Sequence, residues 1–343
     1  DDFGFLMKKI FLLLSFFSVF ISYAQVGGEA AYNFLNLPSS ARQISLGGAA
    51  NTIEGDVNMP MWNPAMINSK IADKIAFSYT SYLSGISLNA LSFVTKINEK
   101  IGYIYGGVLY NNYGSAPRAD AAGNIEGQFK VYDLALMAGY AYTSQESNIT
   151  IGGNVKVINS SIDTYGSFGF AIDFSAVYRH SNERTLYSFV IRNIGTQLKA
   201  YDGLKQEIPM QINFGVSSKL EHLPLQWYVT MENMQQWDVS VPNPSNQEID
   251  IEGNVIAEDI SFLDNAIRHL VVGAELFPEK KISIRGGYNF RKSKELSIGE
   301  TYNSGGFSYG LGLNLKRIKF NYSLSKFHPN SNSSTFSLVI NLY

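Results

Sequence analysis

The chain has 343 residues, 27 basic against 29 acidic, and its 16% charged content falls well below the roughly 25% of an average soluble protein. The near-neutral charge of -2, without a basic stripe, argues against a nucleic-acid partner, and zero cysteines exclude a disulfide framework, thiolate metal sites, a cysteine nucleophile and a cysteine-linked lipid anchor. Aromatics reach 13% with 30 Gly while mean hydropathy is only -0.05, so apolar residues are spread along the chain and not gathered into helical spans, a composition that suits an all-β, closed transmembrane barrel.

At the amino end, Met7, Lys8 and Lys9 precede an apolar run over residues 10–21, and Ser22-Tyr23-Ala24 supply small residues before Gln25. A basic start, a short apolar centre and a small-residue site describe a secretory signal peptide. The expected mature chain begins at Gln25, with residues 1–6 as an upstream extension. An exported, cysteine-free, Gly- and Tyr-rich chain points to the bacterial outer membrane.

Residues 25–72 do not alternate, and they are too many for a linker inside a compact fold. They carry Leu37-Pro38-Ser39-Ser40-Ala41-Arg42, then Leu46-Gly47-Gly48-Ala49, then Met61-Trp62-Asn63-Pro64-Ala65. Pro64 fixes the backbone and biases Asn63 away from helix, which frees the Asn amide to satisfy neighbouring backbone groups. Arg42 is either the partner of a lumen carboxylate or a solvated residue.

From residue 73 the pattern changes to period two. Phe168, Phe170, Ile172, Phe174, Ala176 and Tyr178 share one face, and Gly169, Ala171, Asp173, Ser175, Val177 and Arg179 the other. Strands are expected at about 73–82, 85–97, 100–111, 129–144, 148–160, 166–180, 185–196, 208–220, 224–236, 268–278, 281–291, 305–316, 317–327 and 334–343, fourteen antiparallel segments in a barrel over 73–343. Connections after even-numbered strands are tight and those after odd-numbered strands mostly long, the sorting expected of periplasmic turns and outer loops. Both termini are then periplasmic. The final strand ends in Tyr343, but its large apolar residues, Phe336, Leu338, Ile340 and Leu342, stand in the opposite parity.

Those amino-terminal motifs, Arg42, Gly47-Gly48 and Trp62-Asn63-Pro64-Ala65 just before the first strand, resemble the hatch of the FadL-like transporters, fourteen-stranded barrels plugged by that segment. Within the superfamily the chain looks most like the PorV/PorQ branch of the type IX secretion system. That resemblance implies a hatch over 25–72 and a non-enzymatic outer-membrane component of the attachment complex. Its implied partner is a surface protein of the PorZ type or the PorU/PorV complex. The alternative is a FadL-like transporter of hydrophobic small molecules or fatty acids.

The lumen-facing parity collects Asp133, Asp173, Glu232 and Glu275 with Lys156, Arg179, Arg192 and Arg285. Four acids against four bases favour an ion-paired, hatch-filled interior over a charge-selective pore. Enzyme signatures are mostly absent: the four His sit at turns or strand ends, read as exposed or interfacial, and no ligand spacing occurs. Ser323-Leu324-Ser325-Lys326 matches S-x-x-K, but in a strand that spacing sends Ser323 and Lys326 to opposite faces. No cofactor is implied beyond a bound lipid or detergent. The loop over 236–267 carries Trp237, Asp238, Glu248, Asp250, Glu252, Glu258 and Asp259 among its aromatic and acidic residues. It suits docking of a basic partner, ordering around calcium, or a solvated surface facing lipopolysaccharide.

Overall fold

A computed structural model describes residues 30–120, 122–144, 146–239, 248–249, 255–256, 261–296, 305–328 and 331–342. The expected signal peptide over 1–24 lies outside them. Fourteen antiparallel strands close into a barrel: β1 (Lys74–Ser81), β2 (Ser87–Asn98), β3 (Gly102–Ala119), β4 (Ile125–Ser144), β5 (Ile149–Ile162), β6 (Tyr165–Arg179), β7 (Thr185–Lys199), β8 (Gln211–Lys219), β9 (Leu225–Met231), β12 (Leu270–Leu276), β13 (Ile282–Asn289), β14 (Phe307–Asn314), β15 (Ile318–His328) and β16 (Ser331–Asn341). β10 (Glu248–Ile249) and β11 (Val255–Ile256) form a separate hairpin in the connection between β9 and β12. β16 pairs back onto β1, Lys74 opposite Asn341 through Ser81 opposite Ser334, so no sheet edge is left along this seam.

Period-two alternation produces the wall. On β6, Phe168, Phe170, Phe174 and Tyr178 are exposed outward, while Ser167, Gly169, Ala171, Asp173 and Ser175 are buried inward. The last strand behaves likewise, with Phe336 and Ile340 out and Ser333, Thr335, Ser337 and Val339 in. Most large apolar side chains of such a wall meet lipid, and small or polar ones dominate its lumen face.

The wall is uneven in height. β3 to β7 run 18, 20, 14, 15 and 15 residues, whereas β8, β9, β12, β13 and β14 run 9, 7, 7, 8 and 8. This corrects the expected long loop between the third and fourth strands, which is a continuing hairpin. Gly114 with φ 84° and a register shift between Asn112 and Ser115 break the alternation there, so periodicity fades while pairing persists. The connection between β5 and β6 is likewise a tight turn at 163–164. We call the end bearing the connections after β2, β4, β6, β8, β12 and β14 the turn end, and the opposite one the loop end.

The lumen is filled by residues 30–73. Ala31 donates to the Glu207 carbonyl at 2.8 Å at the loop end, and Asp73 donates to Val94 at 2.7 Å where the segment enters β1 at the turn end. Between them run one α-helix (Ala41–Ser45) and four 3-10 turns (Asn33–Asn36, Met59–Met61, Pro64–Met66 and Ser69–Ile71). Phe34, Leu35, Leu46, Ile53, Val57, Met59, Met61, Trp62, Ile67 and Ile71 pack into one apolar cluster with inward wall residues such as Ala76, Leu88, Tyr105, Leu109 and Ala135.

Candidate functional site

The site is the seam between hatch and wall, built from three contacts. The first lies at the low wall. Ser40 caps the Ala41–Ser45 helix by accepting from Gln43 N–H, and that short helix aims Arg42 at β12. Its guanidinium donates to Glu275 Oε2 at 2.7 Å and to the Glu54 carbonyl at 2.6 Å. Arg285 donates to the other oxygen of Glu275 at 2.7 Å and continues to Ser283 at 2.8 Å and Asn321 at 2.9 Å. Gly47 and Gly48 turn the chain at φ 95° and 90°, a left-handed region that glycine enters without strain, and Gly47 N–H donates to Ser308 Oγ at 3.1 Å. Opposite them, a Cβ on Gly287 would stand 2.2 Å from Gly47 N, and one on Gly310 2.4 Å from Ser45 Cβ. Lumen glycines thus form the cradle that lets the hatch backbone touch the wall.

The second contact is the Trp62-Asn63-Pro64-Ala65 box against the tall wall. Asn63 accepts from Ala65 N–H at 3.1 Å and donates to the Asn51 carbonyl at 2.7 Å, while Ala65 N–H also reaches Ser175 at 2.8 Å. A Cβ on Gly152 would lie 2.4 Å from both Pro64 C and Ala65 N. Arg192 of β7 lays its guanidinium over the Trp62 ring, 3.8 Å from the centroid, and donates to the Leu35 carbonyl at 2.7 Å and to Gln211 at 3.1 Å. Here β7 bulges: both Arg192 and Asn193 stand opposite Asp173, Asn193 is at φ 59°, and its N–H donates to Asp173 at 2.8 Å. Asp173 also holds the fully buried Lys156 at 2.8 Å, and Lys156 donates to Asn193 at 2.7 Å.

The third contact closes the turn end. Hatch residue Glu54 binds Arg179 of β6 and Lys70 at 2.9 Å. Burial alone would raise the Glu54 carboxyl pKa, but the hydrogen bonds and charges of Arg179 and Lys70 outweigh it and hold the group below its ordinary value. Beside this pair a cavity of about 310 Å³ opens between Ala65, Met66 and Asn68 of the hatch and Thr143, Thr150 and Val177 of the wall.

The eight lumen charges are therefore not four mutual pairs. Lys156 joins Asp173 and Arg285 joins Glu275, but Arg179 turns to the hatch and Arg192 uses a ring and neutral oxygens. Glu232 accepts from Asn289 at 3.0 Å with Arg291 at 3.9 Å, and Asp133 accepts from Tyr113 and Ser160. Strand parity fixed which side chains point inward but not which partner each meets, because the hatch supplies partners to three of the eight, Glu275, Arg179 and Arg192. Glu54, absent from the sequence-derived set, lies in a segment with no period to mark it.

Of the loop residues, Trp237 stacks on Phe262 at 4.8 Å and on His269 at 5.3 Å, and Asp238 accepts from Asn265 at 3.5 Å. Asp250, Glu252, Glu258 and Asp259 lie outside the described residues, as does the side chain of Glu248. His269 corrects the reading of exposed histidines: it is fully buried, with Nδ1 2.6 Å from the Glu232 carbonyl and Nε2 3.0 Å from that of Trp237. The helix Phe262–Arg268, capped by Ser261 on Asp264 N–H, leaves Phe262 and Leu263 about 70% exposed (69% and 71%). Ser323 faces the lumen on β15 and Lys326 falls in the opposite parity, so S-x-x-K assembles no catalytic pair. Among the described residues no three His, Asp or Glu side chains converge.

A closed fourteen-stranded wall, an apolar outer face and a lumen filled by the amino-terminal segment define an outer-membrane β-barrel of the FadL-like fold. No protein-family model and no curated protein matches the chain. Solved structures do. The toluene transporter TbuX of Ralstonia pickettii aligns over 89% of this chain and 98% of its own at TM-score 0.51 and 12% identity. A deltaS2 mutant of the TodX monoaromatic hydrocarbon channel aligns over the same shares at TM-score 0.52 and 12% identity. At that identity the likeness establishes the fold.

Proposed function

We propose that this barrel is a non-enzymatic outer-membrane transporter that passes small hydrophobic molecules along its hatch, with its termini in the periplasm. The observation that carries this reading is a break in the wall beside the hatch. The β7–β8 ladder ends at Arg192 opposite Gln211, yet β7 continues to Lys199 paired only with β6. Above the bulge at Arg192 and Asn193 the wall is therefore completed by the 200–210 connection, through Gln206 N–H on Gln197 at 2.7 Å and Asn193 on the Pro209 carbonyl at 3.1 Å. Side-chain bonds of this kind part more readily than a strand ladder, which offers a lateral path between lumen and lipid. The two structural neighbours, a toluene transporter and a monoaromatic hydrocarbon channel, agree with it.

A second reading, an anchor within the type IX secretion attachment complex for a PorZ-type surface protein, rests on a different observation. The loop end presents Trp237, Phe262, Leu263 and Ile267 together and exposed, held in place by buried His269. One deletion strain separates the two. Uptake of labelled toluene and of a long-chain fatty acid should fall while surface display of secreted cargo persists; loss of display with unchanged uptake would overturn transport in favour of anchoring.

A further inference from the structure

Among the described residues of the tall wall, one buried carboxylate has no basic partner. Asp133 on β4 is 6% exposed, and its oxygens accept only from neutral groups, the Tyr113 hydroxyl at 2.7 Å and the Ser160 hydroxyl. Ser160 in turn accepts from Tyr201 at 2.6 Å. Ladder register sets Asn111 of β3 and Ser160 of β5 directly either side of Asp133, all three on the inner face. Asn111 is 1% exposed, and its side-chain oxygen has no donor. An orphaned amide oxygen therefore stands beside an uncompensated carboxylate, in a row of hydroxyls.

Each of those facts asks for positive charge. A buried carboxylate surrounded by neutral groups is costly unless neutralised, and a buried acceptor without a donor adds its own desolvation penalty. Ser and Tyr hydroxyls keep lone pairs free while donating, so the row offers only oxygen ligands. Oxygen-only sets of carboxylate, amide and hydroxyl suit hard cations. Tyr113 is 39% exposed, which opens the row toward the loop end.

We propose that Asp133, Asn111, Ser160 and Tyr113 form a site for a divalent cation of the calcium class on the inner face of β3, β4 and β5. Ion affinity follows the count of charged ligands, and one carboxylate places the site at the weak end, with Kd on the order of 10⁻⁴ to 10⁻³ M. Bound there, the ion joins three strands and, through Ser160 and Tyr201, the connection that completes the wall above β8. The site stands independently of the transport reading.

Terbium, a luminescent calcium substitute, tests it on the full barrel in detergent, because Tyr113, Tyr201 and Tyr32 lie close enough to sensitise its emission. Tyrosine-sensitised emission that calcium displaces, and that Asp133→Asn abolishes while heat-modifiable gel mobility is kept, is the expected result. Emission unchanged in Asp133→Asn would place the ion in the acidic loop and overturn the site, as would its absence in the native protein. If Asp133→Asn fails to fold, Asn111→Asp decides: a second carboxylate should tighten calcium competition by about tenfold, as added ligand charge does, and unchanged competition refutes the site.

Discussion

Arg42 of the hatch and Arg285 of the wall grip opposite oxygens of one carboxylate, Glu275, each at 2.7 Å. One acid thus serves two bases across the seam, and the three positions are not equivalent. Glu275→Gln leaves two guanidiniums without their acid, and breaking a buried pair from one side costs about 3–5 kcal/mol. Arg42→Ala leaves Glu275 still paired to Arg285. The gel-mobility melting midpoint should fall further for Glu275→Gln than for Arg42→Ala, and equal losses would contradict this arrangement.

Neighbouring glycines on β13 make a sharper comparison. A methyl at Gly287 meets Gly47 N at 2.2 Å, whereas one at Gly286 meets nothing within 4 Å. Gly287→Ala should displace the hatch, costing about 1–3 kcal/mol by overpacking and raising channel conductance in planar bilayers. Gly286→Ala should match the native barrel in both measurements.

Acid should loosen the turn end. The Glu54 carboxyl is held below its ordinary value, so its contribution is present above the unfolded value of about 4.3 and is lost as pH falls through the lower folded one. Protease cleavage near Lys70 should therefore rise below about pH 4 in the native protein. Glu54→Gln should show that elevated cleavage already at neutral pH, with little further change on acidification.

At the loop end, His269 ties the Trp237 segment to the helix that precedes β12. His269→Ala removes both carbonyl contacts and one face of the Trp237 stack. Trp237 emission should shift to the red and its quenching by iodide should increase. Under the anchoring reading, Phe262→Ser with Leu263→Ser should release a surface partner without changing the melting midpoint.

Much of this architecture is written in the chain at period two. The run from Phe168 to Tyr178 announces which side chains meet lipid, and the strand count follows from repeating that test. The hairpin above Asn112 is hidden because Gly114 and the register shift beside it reset the parity. Seam partners were hidden for another reason: Arg192 over Trp62 and Glu54 on Arg179 join residues 130 and 125 positions apart (192 − 62 and 179 − 54) that share no local pattern. The Phe262–Arg268 helix did leave a signal, Ser261 capping Asp264 and Asp264 pairing with Arg268 one turn on, masked by the acidity of the surrounding loop.

A tilted strand needs about 9–11 residues to cross a bilayer, so β8, at 9, only reaches that span and β9 and β12 to β14, at 7 or 8, fall short of it, while β3 to β7, at 14 to 20, overshoot. The overshoot stands as a palisade on one side of the mouth, braced at its crest by Arg118 on Asp163. The Trp237 and Phe262 rings lie on the opposite side of the mouth, in the connection between the short strands β9 and β12. The barrel has a front and a back, although its wall is a closed ring.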